Sequence, residues 1–294
     1  MSITANPTTK PTPDDLTAPS RVAGAAKPWL GTVARQPHEY AVQVVIPHLD
    51  TPEPVELAVE LWRAQTLRPY ITIIDTGSTG EHRERIAELQ ADDVEIHYLR
   101  CHGYQHASQP VSIAQDVALA LCQQTLQFNT HSDVFPRRRD LLEWYAGQCS
   151  ASTPAVGYEI SPRDHVRDGW LRRNWRGMLG HTATMIHAPA IKRLGISWDY
   201  QRAMDQVELN PDNPGDFDTE VGFGLLLRQA GILPTIVGHD INRKRQVDEH
   251  IDHVRSHSSS KLLDPRYHTG NCSRWMDLAM SEGRDRLDEW SRSA

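Results

Sequence analysis

Acids and histidines gather at four short stretches of this chain: HLD at 48–50, DTGS at 75–78, CHGY at 101–104 and HSD at 131–133. Each follows directly on an apolar run. Carboxylate oxygens suit hard divalent cations such as Mg²⁺, and an imidazole is a softer ligand that moves preference towards Mn²⁺. Asp133 also fits a cap for a helix starting near Pro136, and Asp75 fits a cap after a plain turn. Two more acids, Asp218 and Glu220, stand at the start of an apolar-periodic segment, TEVGFGLLLRQAG (219–231). There they fit ordinary capping, stabilised by the helix dipole, and equally an acid that faces a cleft. His239 ends another apolar run, but with fifteen histidines in the chain coincidence competes with any ligand role.

The segments that must position these residues alternate in type. AVQVVIP (41–47), YITIIDTGST (70–79), VEIHYLR (94–100) and LQFNTHSDVF (126–135) read as buried strands, rich in β-branched residues. Between them, PVELAVELWRAQT (54–66), EHRERIAELQ (81–90), PVSIAQDVALALCQQ (110–124) and RRRDLLEWYAGQ (137–148) carry helical spacing. Alternation at these lengths builds parallel βαβ units with helices on both faces of one sheet. Open sheets of this kind place ligands at the carboxyl ends of their strands, which is where all four polar stretches fall. The second half is less regular: a strand at 155–160, a mixed Trp, Arg and Gly segment at 170–187, the helix 219–231 and a strand at 232–240. A final helix is expected in SRWMDLAMSEGRDRLDEW (273–290).

Bulk composition narrows the function classes. The 294 residues suffice for one large α/β domain, and a net charge of −7 gives no broad attraction to nucleic acid or anionic membrane. Four scattered cysteines, Cys101, Cys122, Cys149 and Cys272, form no CxxC pair. They read as free thiols in a reducing compartment. No stretch approaches the ~20 apolar residues that span a bilayer. The expectation is therefore a cytoplasmic protein without stable membrane insertion. Residues 1–37 are rich in Pro, Thr, Ala and Ser and read as a flexible arm; 38–240 form the body, and 241–294 a C-terminal helical extension.

VVIPHLDTPEPVELAVELWRAQT, IIDTGST, SIAQDVALAL, HSDVFP and EVGFGLLLRQAG stand in the order found in family 2 of the inverting, nucleotide-sugar-dependent GT-A glycosyltransferases. The chain resembles that family over roughly residues 41–240. The resemblance implies a Rossmann-like GT-A fold, a mixed and mostly parallel sheet with helices on both faces. It also implies a nucleotide-binding half (38–135) and an acceptor half (136–240).

The same resemblance implies roles. Asp75 would hydrogen-bond the nucleobase, commonly uracil, beside Gly77 and Ser78, with Pro47, His48 and Asp50 on the opposite side of the base pocket. Thr76 stands where the family has a second Asp or an Asn. HSD occupies the place of the Asp-x-Asp signature, so Asp133 would hold Mn²⁺ or Mg²⁺ against the diphosphate. His131 replaces the first Asp, Ser132 lies between them, and His239 is a third candidate ligand. Glu220 falls on the catalytic acidic position, with Asp218 in reserve, as the base that takes the acceptor proton. Gly180 and His181 would lie near the sugar, and Trp175 and Trp198 could stack on sugar faces.

The implied reaction is transfer of a hexose from a UDP-type sugar to a hydroxyl of a glycan, a small molecule or a modified nucleobase. A non-catalytic nucleotide or partner binder of the same fold is the alternative, supported by the substitutions at Thr76 and His131. A nucleotidyltransferase normally needs a basic, Gly-rich loop after its first strand, and HLDTPEP is acidic and has no glycine.

Overall fold

The computed structural model describes residues 40–78, 80–99, 109–160, 178–198, 219–240, 244–254 and 271–293, except for the side chains of 109, 219–221 and 271–273. The arm at 1–37, the CHGY stretch, Trp175 and Asp218 lie outside the described residues, as does the Glu220 side chain.

Four apolar runs form parallel strands, β1 (Val42–His48), β2 (Tyr70–Asp75), β3 (Val94–Tyr98) and β4 (Leu126–Asn129). Their register places Gln43 opposite Tyr70, His48 opposite Asp75, and Val45 opposite Asn129. The chain then leaves this sheet. β5 (Val134–Pro136) belongs to a second one, so the strand expected over 126–135 is two strands. The break has a local cause: polar residues 130–133 interrupt the apolar run, and Val134 N donates to His131 O (3.3 Å) to close a turn.

Among the described residues, β6 (Ala155–Glu159), β7 (Leu179–His187) and β8 (Thr235–His239) complete a seven-stranded sheet in the order β3-β2-β1-β4-β7-β6-β8. β7 runs antiparallel to both of its neighbours, while β6 and β8 pair in parallel. β6 therefore points the same way as β1 and β4, and the carboxyl ends of β1, β2, β4, β6 and β8 share one edge. β9 (Arg245–Val247) and β10 (Ile251–Val254) join β5 in an antiparallel sheet of order β5-β10-β9. The tail expected to be helical thus also supplies two strands.

Helices cover both faces, as expected of this α/β class. α1 (Pro52–Arg63) lies on the face where Val42, Val44, Ile46, Ile71 and Phe128 point. α2 (Gly80–Ala87) adds Ile86 to the same core. α3 (Gln109–Leu121) covers the other face through Ala114, Val117 and Ala118, which meet Val45 and Ile74. α4 (Leu141–Ala146) is shorter than the helix expected over 137–148. Arg137 N donates to His250 O (2.8 Å) and Thr66 N to Arg139 O (2.9 Å), so the backbone there is tied to neighbouring segments instead of to a helical ladder. α5 (Ala188–Leu194) and α6 (Thr219–Gln229) pack on the α3 side of the sheet, where Leu119, Ile186, Ile191, Phe223 and Leu227 form one cluster.

α7 (Asn271–Arg292) adds an outer layer over α1, meeting Leu57 and Leu61 at Gly283. With sheet on one side and α7 on the other, α1 buries Val55, Leu57, Ala58, Val59, Leu61 and Trp62 together. Each large side chain so enclosed contributes about 1.5–3 kcal/mol relative to exposure. No helix among the described residues is long and apolar enough to cross a membrane.

α6 approaches β7 closely because Gly224 faces Met178: a Cβ there would lie 2.9 Å from Met178 Cα and 2.4 Å from its Sδ. The backbone atom cannot swing aside, so Gly224→Ala must push the helix outward. Overpacking of this kind costs about 1–3 kcal/mol, and the variant is expected to lose that much in urea unfolding. An unchanged unfolding midpoint would mean that α6 tolerates the shift.

Candidate functional site

The turn leaving β4 carries HSD, and backbone pairing determines what stands beside it. Thr130 N donates to Val45 O (3.0 Å), extending the β1 pairing by one residue before the chain bends away. β10 then runs antiparallel to β5 with His253 opposite Val134, and Val254 N donates to Asp133 O (3.0 Å). This register sets His253 beside Asp133. His253 Nε2 and His131 Nδ1 each stand 3.9 Å from Asp133 Oδ1. One donor atom from each of the three residues lies within 4.8 Å of the others, and Asp133 and His253 are buried.

The separations of 3.9 Å are too long for hydrogen bonds. They do suit shared ligation: two atoms each about 2.1 Å from one cation lie at most about 4.2 Å apart. Two imidazoles with one carboxylate form a borderline donor set, softer than a pair of aspartates. The donor types and the two 3.9 Å pairs with Asp133 therefore fit a divalent cation.

Two neighbours hold this turn. His181, on β7, reaches His131 with Nδ1 2.6 Å from His131 Nε2 and ring centroids 4.6 Å apart. Ser132 Oγ lies 3.0 Å from Thr51 Oγ1. Thr51 stands at the N-cap of α1 without capping it through its side chain, so that hydroxyl serves the HSD turn instead.

Thr51 also links to the turn after β2. Its N–H donates to His48 Nε2 (3.1 Å), which places the His48 proton on Nδ1, facing Asp75 Oδ2 at 3.1 Å. Asp75 Oδ1 accepts from Gly77 N (2.9 Å) and Ser78 N (2.8 Å), and Ser78 Oγ accepts from Asp50 N (2.8 Å). Gly77 sits at φ +144°, a conformation other residues rarely adopt. Pro47 lies within β1, directly before His48. The Asp75 carboxylate is 1% exposed and spent inside the turn, while Gly77 is exposed. Burial by itself would raise the Asp75 carboxyl, but the hydrogen bonds from His48, Ser78 and Gly77 outweigh it and hold the carboxyl below its ordinary range.

Other expected residues are scattered. His239 ends β8, largely exposed, with Nδ1 3.0 Å from Glu159 Oε2 at the end of β6; the described cation group does not include it. Gly180 is buried in β7, its carbonyl accepting from Thr184 Oγ1. Trp198 is fully buried with one face stacked on Phe223 at 3.8 Å, so that face is already covered and cannot stack on a sugar. The backbone of Glu220 lies in the first turn of α6.

Two residues escaped the sequence reading. His253 lies in a tail without helical or alternating period, and only the β5–β10 register reveals it. Glu159 is a buried carboxylate at the carboxyl end of β6, and the signal for it was the acid ending the short strand at 155–160.

No protein-family model matches the chain, and no curated protein matches it. Among solved structures it is similar to the mannosyltransferase PcManGT from Pyrobaculum calidifontis in complex with GDP-Man and Mn²⁺. That match has 16% identity and a TM-score of 0.45, covering 77% of this chain and 65% of that one. Glucosyl-3-phosphoglycerate synthase from Mycobacterium tuberculosis in complex with UDP matches at 16% identity and TM-score 0.42, over 71% and 74% of the two chains. S. aureus TarS 1-349 in complex with UDP-GlcNAc matches at 10% identity and TM-score 0.42, over 63% and 53%. The chain thus spans just under two thirds of the first of these proteins. Likenesses this distant assign neither activity nor substrate.

The Asp75 turn makes a pH-dependent prediction. A carboxyl whose pKa is lower folded than unfolded adds stability above its unfolded value near about 3.9, and that stability is lost as pH falls through the folded value. Asp75→Ala is expected to cost about 1.5–3 kcal/mol at neutral pH. Urea melts repeated at decreasing pH should show the gap to wild type narrowing on the acid side. A gap independent of pH would assign the loss to packing alone.

Proposed function

We propose that this chain is a GT-A-type glycosyltransferase that moves a hexose from a nucleotide-diphosphate sugar, UDP-linked, to an acceptor hydroxyl with inversion at the anomeric carbon. The observation that carries the reading is the group of His131, Asp133 and His253, two imidazoles and a carboxylate spaced for one cation at the carboxyl edge of the sheet. In an α/β sheet this is the edge where ligands bind. A hydrogen-bonded chain through Thr51 joins that group to the His48–Asp75 turn.

In this reading those three residues hold Mn²⁺ in preference to Mg²⁺, and the cation supplies positive charge that offsets the charge growing on the departing diphosphate. Asp75 and His48 keep the β2 turn rigid. Base contact falls to its exposed rim at Gly77, with Asp50 and Ser78 bracing it. Glu220, in the first turn of α6, takes the proton from the acceptor hydroxyl as that oxygen attacks, and Asp218 lies close by in sequence. Residues 38–135 serve the nucleotide and 136–240 the acceptor. The acceptor is a glycan, a small metabolite or a modified nucleobase.

A thermal-shift screen of nucleotide sugars with Mn²⁺ and with Mg²⁺, followed by turnover of any donor that stabilises the protein, tests this. Asp133→Ala and His253→Ala should each abolish the Mn²⁺-dependent shift, whereas His239→Ala should leave it intact. A loss confined to His239→Ala would move the cation to the β8 edge. Glu220→Gln should keep donor binding while lowering kcat by about 10²–10⁴-fold, the size of a lost general base. Normal turnover by Glu220→Gln would remove it from the chemistry. If neither cation promotes binding of any nucleotide sugar, the proposal fails as a whole.

A further inference from the structure

We infer that His181 is a positioning residue for the cation site: its Nδ1 accepts a hydrogen bond from His131 Nε2–H, and this fixes the His131 ring with Nδ1 turned towards Asp133. The inference rests on the cation reading of His131, Asp133 and His253, and adds a residue that the family resemblance placed only near the sugar.

The argument is one of proton placement. A neutral imidazole carries one proton, and the nitrogen that binds a cation must be the one without it. His131 Nδ1 faces Asp133 Oδ1 at 3.9 Å, whereas Nε2 points away to His181 Nδ1 at 2.6 Å. Ligation through Nδ1 therefore requires the proton on Nε2. That proton needs an acceptor, because a buried donor without one costs about 1–3 kcal/mol. His181 Nδ1 is at hydrogen-bonding distance. A metal-bound imidazole with its second nitrogen tied to a fixed acceptor is held in one tautomer and one orientation.

The scaffold makes His181 suited to this task. It is buried in β7, in the stretch between Thr184, which pairs with β4 and β6, and Leu179, which pairs with Glu159 across a shift of register. The edge of Trp198 lies against it, with ring centroids 6.1 Å apart, and Trp198 is itself stacked on Phe223. His131, by contrast, sits on a turn, the less constrained partner. One hydrogen bond thus ties the HSD turn to a buried ring that rests against Trp198.

The test compares His181→Ala with His181→Asn, since the Asn Oδ1 can occupy the place of the imidazole Nδ1 and accept the same proton. Mn²⁺ affinity is read by electron paramagnetic resonance titration of the purified protein with and without UDP, which needs no turnover. His181→Ala is expected to weaken Mn²⁺ binding about 10–100-fold, and His181→Asn to restore most of that loss, the range known for outer partners of metal-bound histidines. Thermal melts of the same variants report folding. Equal Mn²⁺ affinity in wild type and His181→Ala would overturn the inference while leaving the cation site standing. Loss in both variants with unchanged melting would overturn it too, by assigning the effect to the shape of the ring. A wild type that binds no Mn²⁺ would overturn the inference together with the cation reading beneath it.

Discussion

The backbone hydrogen bond from Val254 to Asp133 lies at the end of the β5–β10 pairing, and it settles which side chains can meet beyond the large sheet. Because side chains in a strand alternate in direction, a slip of one residue would turn His253 away from Asp133. The register is in turn fixed from behind. Arg245 of β9 makes a two-pronged ion pair with Asp252, the neighbour of His253, and its Nη2 also donates to Glu282 of α7 at 2.6 Å. Asp252 is wholly buried, so loss of Arg245 would leave its charge in the interior with Arg286, 3.9 Å away, as the cation beside it. The outer helix and the smallest sheet thus share the work of holding two imidazoles and a carboxylate together.

A second constraint ties the two turns of the site to each other. Ordinarily the residue before a helix uses its hydroxyl to satisfy the helix's own free N–H groups. Thr51 does not, and its hydroxyl meets Ser132 while its N–H goes to His48. α1 forfeits a cap and gains instead a full apolar enclosure between the sheet and α7. The turn after β2 is then closed by its own carboxylate, Asp75, whose oxygens are taken up by His48 and two backbone donors. The hydrogen bonds of Thr51, His48 and Asp75 thus tie the turn after β2 to the turn after β4.

Much of this was legible in the residues. The Val- and Ile-rich runs of β1 and β2, the periodicity of α1 and α3, and the long tail helix follow from side-chain alternation alone. So does the gathering of polar residues at one edge, since parallel strands must all end there. The parts that were not legible depend on pairing across long stretches of chain. One continuous strand was expected over 126–135 because nothing local shows that Val134 and Phe135 find partners at 251–254. His253 escaped for the same reason, while His239, which follows a clear apolar run, drew attention and proved to sit with Glu159 on a different strand pair. Trp198 shows a different limit. An aromatic residue near polar neighbours reads equally as platform or as core, and only the stacked Phe223 decides.

The distance in sequence between the two halves of the β5–β10 pair has a consequence for how the protein matures. While the chain is being synthesised, β1 through β4 can pair and α1 can dock well before residue 253 exists. The nascent sheet at that stage offers one imidazole and one carboxylate, a poor trap for a cation. Only when β10 arrives does the set become complete, so in the proposed reading capture of a metal and closure of the last sheet are coupled events. A cation held by these three residues would therefore be linked to closure of that sheet.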